Sequence, residues 1–223
     1  MNIWTISILV MLLGSLAQFM LKNRFAKYSK VPTYNGLSGA EVAEKMLHDH
    51  GIYNVRVQMT SGMLSDHFNP QSMTINLSEA VYSSRSVAAA AVAAHECGHA
   101  VQHACGYAPL KFRSALVPVV SFASNIVQWV LLAGILLINV FPNLLWFGII
   151  LFASTTLFSL VTLPVEINAT RRALAWLPRA NVTDARTTPM AQDALKWAAC
   201  TYVIAAIGSL ATLLYYIGIA RRD

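Results

Sequence analysis

A chain of 223 residues that is 56% hydrophobic and only 12% charged carries about half the charge of an ordinary soluble domain, which excludes a soluble globular protein and points to a membrane. The net charge of +6 does not argue for nucleic acid. The basic residues flank apolar spans, where a membrane surface accounts for them, and no Lys/Arg run or RNA-type motif is present. Cys97, Cys105 and Cys200 are odd in number and make no CxxC, which argues for reduced thiols on or near a cytosolic face.

In chain order, Ile3 to Met20 is apolar and about long enough to span a bilayer. No basic residue precedes it, while Lys22, Arg24, Lys27 and Lys30 follow it. That is the reverse of a secretory signal, so the segment reads as an uncleaved anchor with its N-terminus outside. Val31 to Ser38 is linker-like. Ser38-Gly-Ala-Glu41 is a capping box, and a short helix from Glu41 to His50 should stop at Gly51. Val55, Val57 and Met59 alternate with polar residues and predict a strand. Gly62 to Pro70 reads as a loop with turn signals at Ser65-Asp66 and Asn69-Pro70. Met73 to Leu77 alternates again and predicts a second strand. Its place before the next helix suits either an edge strand, to which an extended substrate adds through main-chain hydrogen bonds, or an ordinary half-buried strand.

The stretch Ala88-Ala-Ala-Ala-Val-Ala-Ala-His95-Glu96-Cys97-Gly98-His99 is a strong helix former because of its alanines. Ser84 or Ser86 should cap this helix, which should run to about Cys105 and stop at Gly106 before Pro109. His95 and His99 stand one turn apart on one face, so both imidazoles can reach a single ion. Glu96 sits about 100° round the helix, beside that ion, where a base takes a proton from metal-bound water. An HExxH of this kind arises by chance in only a few of roughly a thousand such sequences. The bland alternative is two hydrogen-bonded histidines on an Ala-rich helix. Cys97 points away from His99, which suits packing better than ligation.

Val117 to Val140 predicts a second span, Phe141-Pro142-Asn143 a tight turn, and Leu144 to Leu163 a third span. Thr188-Pro189 starts a last helix, which runs through Trp197 to about Ala220 and exceeds what a bilayer needs. A catalytic zinc needs three protein ligands and an open position for water. The candidate third ligand is Glu166, an acidic residue at the mouth of an apolar span, an expensive place unless paired or metal-bound. Thr170, one turn on, could hydrogen-bond a ligand histidine. The alternative is pairing of Glu166 with Arg171 or Arg172. Two spans separate His99 from Glu166, an even number, so all three residues can lie on one side. Eleven basic residues flank the spans on that side, against Arg221 and Arg222 on the other, which puts the site on the cytoplasmic face.

Beyond these readings the chain resembles the bacterial membrane-bound neutral zinc metallopeptidases of the YugP-like family. The matching stretches are Gly62 to Pro70, Leu77-Ser78, Val92 to Gln102 with His95-Glu96-Cys-Gly98-His99, Gly106-Tyr107, and Leu163-Pro164-Val165-Glu166 with Ala169 and Arg171 to Leu174. More distantly, Glu166-x-x-Ala169 is similar to the third-ligand motif of HtpX-type membrane gluzincins, with Thr170 where that pattern has Asp. The resemblance implies zinc, proteolysis and a glutamate third ligand, and supplies no substrate.

Together these readings predict a predominantly α membrane protein of about four transmembrane helices, with a small α+β zincin-like cytoplasmic domain carrying HExxH. The expected organisation is an anchor (1–21), a zincin-like domain (22–112), a helical hairpin (113–165), a third-ligand helix with a juxtamembrane segment (166–196) and a C-terminal span (197–223). One Zn2+ per chain is expected on His95, His99 and Glu166, with Glu96 as general base. The expected partners are a peptide or membrane-protein substrate and the lipid bilayer of the bacterial inner membrane, and no nucleic acid. His103, His67, Tyr202 and the Arg171-Arg172 pair are candidates for stabilising the oxyanion. His103 could instead line the cleft, and Gly98 should admit the Glu166 helix beside the metal. A binding or scaffold protein with a structural zinc is the competing reading. A metal transporter is disfavoured because no ionisable residue lies between Val117 and Leu163 or from Trp197 to Ala220.

Overall fold

The computed structural model describes residues 3–62 and 65–221. In chain order they form α1 (Ile3–Tyr28), α2 (Gly39–Asp49), β1 (Arg56–Thr60), β2 (His67–Asn69), β3 (Thr74–Ser78), α3 (Glu79–Tyr82), α4 (Val87–Ala104), α5 (Ala108–Leu136), α6 (Pro142–Arg179) and α7 (Thr188–Ala220). The chain divides into two compact units: Met1–Leu16 with Lys111–Pro164 and Thr201–Asp223, and Ala17–Leu110 with Val165–Cys200. Met63 and Leu64 of the expected 62–70 loop, and Arg222 of the far-side basic pair, lie outside the described residues.

The first unit is built from apolar stretches of α1, α5, α6 and α7. These are the helices, among the described residues, that are long and apolar enough to cross a membrane. At 26 to 38 residues each exceeds the roughly 20 that a bilayer core requires. Where α5 turns back into α6, Leu131, Leu145 and Ile149 form a buried cluster. A side chain at Gly134 would stand 2.7 Å from the Leu145 Cα, so the hairpin depends on a small residue at that contact.

The second unit packs helices on a three-stranded sheet. Ser38 accepts from the Glu41 N–H while the Glu41 carboxylate accepts from the Ser38 N–H, so the expected capping box starts α2. The strand order is β1-β3-β2, with β1 parallel and β2 antiparallel to β3. Two expectations are corrected here. β3, read as a possible edge strand, is the central one, and all five of its residues are buried. The supposed loop before it contains β2, a short edge strand paired through His67–Asn76, Phe68–Ile75 and Asn69–Thr74. Asp66 tethers its start by accepting from the Ser78 N–H and hydroxyl at 2.7 and 3.0 Å.

Over this sheet lies α4, capped by Ser86, whose hydroxyl accepts from the Ala89 N–H. It ends as expected before Gly106, whose φ of 64° favours a residue without a side chain. From Val87 to Ala91 every residue is buried. A helix clad in alanine can be approached from all sides at close range. It packs against α2, Ile75 and Leu77 of the sheet, and the second half of α6 through Ala173, Trp176 and Leu177. The Glu166 segment is the continuation of the third span in one helix, α6, which runs on through Pro164 to Arg179.

α6 comes close to α4 at Gly98, where an added Cβ would meet the Ala169 carbonyl oxygen at 2.7 Å and its Cα at 3.0 Å. Backbone cannot rotate away as a side chain can, so Gly98→Ala should destabilise the protein by about 1–3 kcal/mol. Gly14→Ala, with nothing within 4 Å of the added carbon, should leave stability unchanged or slightly higher. Thermal unfolding midpoints of both variants in one detergent check this. Equal midpoints would mean that the two helices are not held at this distance.

Candidate metal centre

The i, i+4 spacing on α4 does what helical geometry requires. The rings of His95 and His99 stand 4.9 Å apart, nearly perpendicular. The close contact at Gly98 and Ala169 brings α6 against the same face, and Glu166, three residues before Ala169, reaches between the rings. Its Oε2 lies 3.2 Å from His95 Nε2 and 3.6 Å from His99 Nε2. Glu166 is 3% exposed. Of its expected alternative partners, Arg171 is exposed and Arg172 Nε donates to Asn168 Oδ1 at 2.8 Å.

Among the described residues these three offer one donor atom each, all within 4.8 Å of one another. Ligands about 2.0–2.2 Å from a tetrahedral ion stand roughly 3.3–3.5 Å apart, so the separations of 3.2 and 3.6 Å suit one small cation. Two imidazole nitrogens and a carboxylate oxygen are a donor set zinc takes with its fourth position open. The residues therefore fit the metal.

Each imidazole is also held from behind. The Thr170 hydroxyl lies 3.1 Å from His95 Nδ1, and Gln102 Oε1 lies 3.1 Å from His99 Nδ1. Burial disfavours a charged His99, but the hydrogen bond to Glu166 and the charges of Glu96 and Glu166 outweigh it, so its pKa lies above the ordinary histidine value.

Glu96 is outside the three-residue cluster, as its position round α4 requires. It is 8% exposed, and its Oε2 accepts from the Phe68 N–H of β2 at 3.1 Å. That contact was not foreseen, because the segment carrying Phe68 reads as a turn-rich loop. Gln102 was also missed as a partner of His99, although the i, i+3 spacing places it on the same face. Of the other candidates, His103 is exposed and its ring lies 5.8 Å from that of Phe68, tilted by 58°. His67 contacts the Ser65 carbonyl and Asn76 through its two ring nitrogens. Tyr202 falls in the other unit.

The whole chain resembles known proteins. A family described as "putative neutral zinc metallopeptidase" matches residues 3–221, and the chain belongs to that family. A relative, the "putative membrane protease YugP" of Bacillus subtilis (strain 168), is 42% identical over 201 residues, covering 90% of this chain and 88% of the relative. No solved structure matches the chain. The family and the four apolar helices define a membrane protein of the zinc metallopeptidase class.

Cys97, between Glu96 and Gly98, is fully buried, its thiol donating to the Ala43 carbonyl at 3.4 Å. Burial pushes its pKa well above the usual thiol value. Cys105 is exposed. A maleimide reagent applied to the folded protein should label Cys105 rapidly and leave Cys97 unmodified until denaturant is added. Peptide mapping by mass spectrometry reads the sites, and rapid labelling of Cys97 in the native protein would contradict this packing.

Proposed function

We propose that the protein is a membrane-embedded zinc endopeptidase of the HExxH gluzincin type, with His95, His99 and Glu166 as ligands of one Zn2+ and Glu96 as general base. The observation that carries this reading is the convergence of Glu166 with the HExxH histidines from 71 residues away, in a chain whose family is one of zinc metallopeptidases. When bound, zinc supplies a Lewis acid that acidifies water and polarises a peptide carbonyl. The chain's own residues do the rest. Glu96, oriented by the Phe68 N–H, takes the proton of the attacking water and returns it to the leaving amine. Thr170 and Gln102 hold the ligand rings, and the surrounding alanine-rich packing keeps bulk water from the back of the site.

The substrate in this reading is a peptide or membrane-protein segment at the cytoplasmic surface of the inner membrane. The eleven basic residues flanking the spans on the site's side support that orientation. The catalytic body is zincin-like, with the bilayer as its other partner. A non-catalytic zinc protein is the second reading. Glu96 distinguishes the two: in a non-catalytic protein its carboxylate would serve only to accept the Phe68 N–H, whereas the enzyme also needs it as a base.

Glu96→Gln should keep one zinc per chain by elemental analysis while peptide cleavage falls by about 10²–10⁴-fold. Glu166→Gln should lose zinc and cleavage together, and chelation of the wild type should abolish activity that added zinc restores. Cleavage at the wild-type rate in Glu96→Gln would remove that residue from the mechanism.

A further inference from the structure

Gln102 is completely buried and stands one turn past His99 on the same face of α4. Besides the contact with His99 Nδ1, its amide reaches the Val165 carbonyl at 2.8 Å and Asn168 Oδ1 at 3.0 Å. A side-chain amide has one donating and one accepting end. Which end points where follows from partners that can play a single role. The Val165 carbonyl only accepts, so the group facing it is the amide NH2. The other side gives the same answer. Arg172 Nε only donates, and it donates to Asn168, so that atom of Asn168 is its oxygen, and the neighbouring Gln102 group is again NH2. The end left for His99 is Oε1, which only accepts. Nδ1 therefore carries a proton, and Nε2, on the Glu166 side, is the nitrogen available to an ion.

We infer that Gln102 is a positioning residue for the metal: locked by Val165 and Asn168 of α6, its amide holds the His99 ring with Nδ1 donating and Nε2 aimed at the ion. The inference rests on reading His95, His99 and Glu166 as ligands. It adds that α6 acts on the site twice, directly through Glu166 and indirectly by setting the orientation of a ligand on α4. The two histidines are not equivalent in this respect. The Thr170 hydroxyl beside His95 can donate or accept, so it does not dictate which nitrogen is protonated. The Gln102 amide, held by two one-way partners, does. Removing an outer partner of a ligand histidine typically weakens metal binding about 10–100-fold.

The test uses the full-length protein in detergent, labelled with 15N-histidine. Zinc affinity is measured by competition with a chromophoric chelator, and the imidazole N–H of His99 is followed by NMR in the zinc-loaded state. Gln102→Met keeps the side chain's length and removes the acceptor. It should raise the zinc Kd about 10–100-fold and move the His99 Nδ1–H resonance upfield as its hydrogen bond is lost. Asn168→Leu leaves Val165 holding the amide and should change both quantities in the same direction by less. Wild-type affinity with an unmoved resonance in Gln102→Met would overturn the inference. If that variant does not fold, an unmoved resonance in Asn168→Leu overturns it instead, because a residue that only fills space would not shift an imidazole proton. Zinc binding that survives His99→Ala at wild-type affinity would overturn the ligand assignment, and this inference with it. The Gln102 result alone leaves the ligand assignment standing.

Discussion

A carboxylate that is almost wholly buried must be answered by hydrogen bonds or opposite charge, since an unpaired one in such surroundings would take up a proton or destabilise the fold. Glu166 meets this constraint by lying between two imidazoles, and much of the second unit serves to keep it there. The contact exists because α4 and α6 approach to backbone distance at Gly98 and Ala169. Any side chain at position 98 would push away the helix that carries the acid. The glycine inside the motif is thus a condition of the His95–His99–Glu166 cluster, not a spacer between its histidines.

The alanines preceding the motif have a related purpose. A helix buried on every side is usually clad in large apolar residues, which fill space but hold neighbours at a distance. Here the buried N-terminal half of α4 is nearly all alanine, so α2, the sheet and α6 can all pack against it while its C-terminal half carries His95, Glu96, His99 and Gln102. Polar groups concentrated there are tolerated because each has a named partner: Glu166 and Thr170 for His95, Glu166 and Gln102 for His99, the Phe68 N–H for Glu96, and Val165 with Asn168 for Gln102. Partly satisfied networks of this kind are costly in a low-dielectric interior, and fully satisfied ones confer rigidity. Rigidity is what a site needs if it is to accept an ion without rearranging.

α6 joins two kinds of chemistry in one helix. Its first part is apolar and belongs with the other long hydrophobic helices; from Val165 onward it belongs to the unit that contains His95, His99 and Glu166. The acid at position 166 stands just beyond the apolar run, where ionisable groups become affordable if they are partnered. Membership of a zinc metallopeptidase family and likeness to a bacterial membrane protease agree with a chain that carries both a His–His–Glu cluster and four helices long and apolar enough to cross a membrane, among the described residues.

Local patterns determined a good deal. Four long apolar runs, the capping box at Ser38, the alternation around Val57 and Ile75, and the HExxH helix with its stop at Gly106 are all short-range signals, written in neighbouring residues and readable without a fold. The approach of Glu166 to the histidines was legible too, because an acidic residue at the mouth of an apolar run is conspicuous, and the even number of long apolar helices between it and His99 leaves it free to return. Only the tertiary structure decided that β3 is central, that three residues of an apparent loop pair with it as β2, and that Phe68 thereby turns its N–H to Glu96. Strand order and edge identity depend on which distant segments pair, and a three-residue strand has no periodicity of its own to announce it. The role of Gln102 was hidden for the same reason: a glutamine one turn past a histidine is unremarkable until the Val165 carbonyl and Asn168, more than sixty residues away, fix which end of its amide faces the ring.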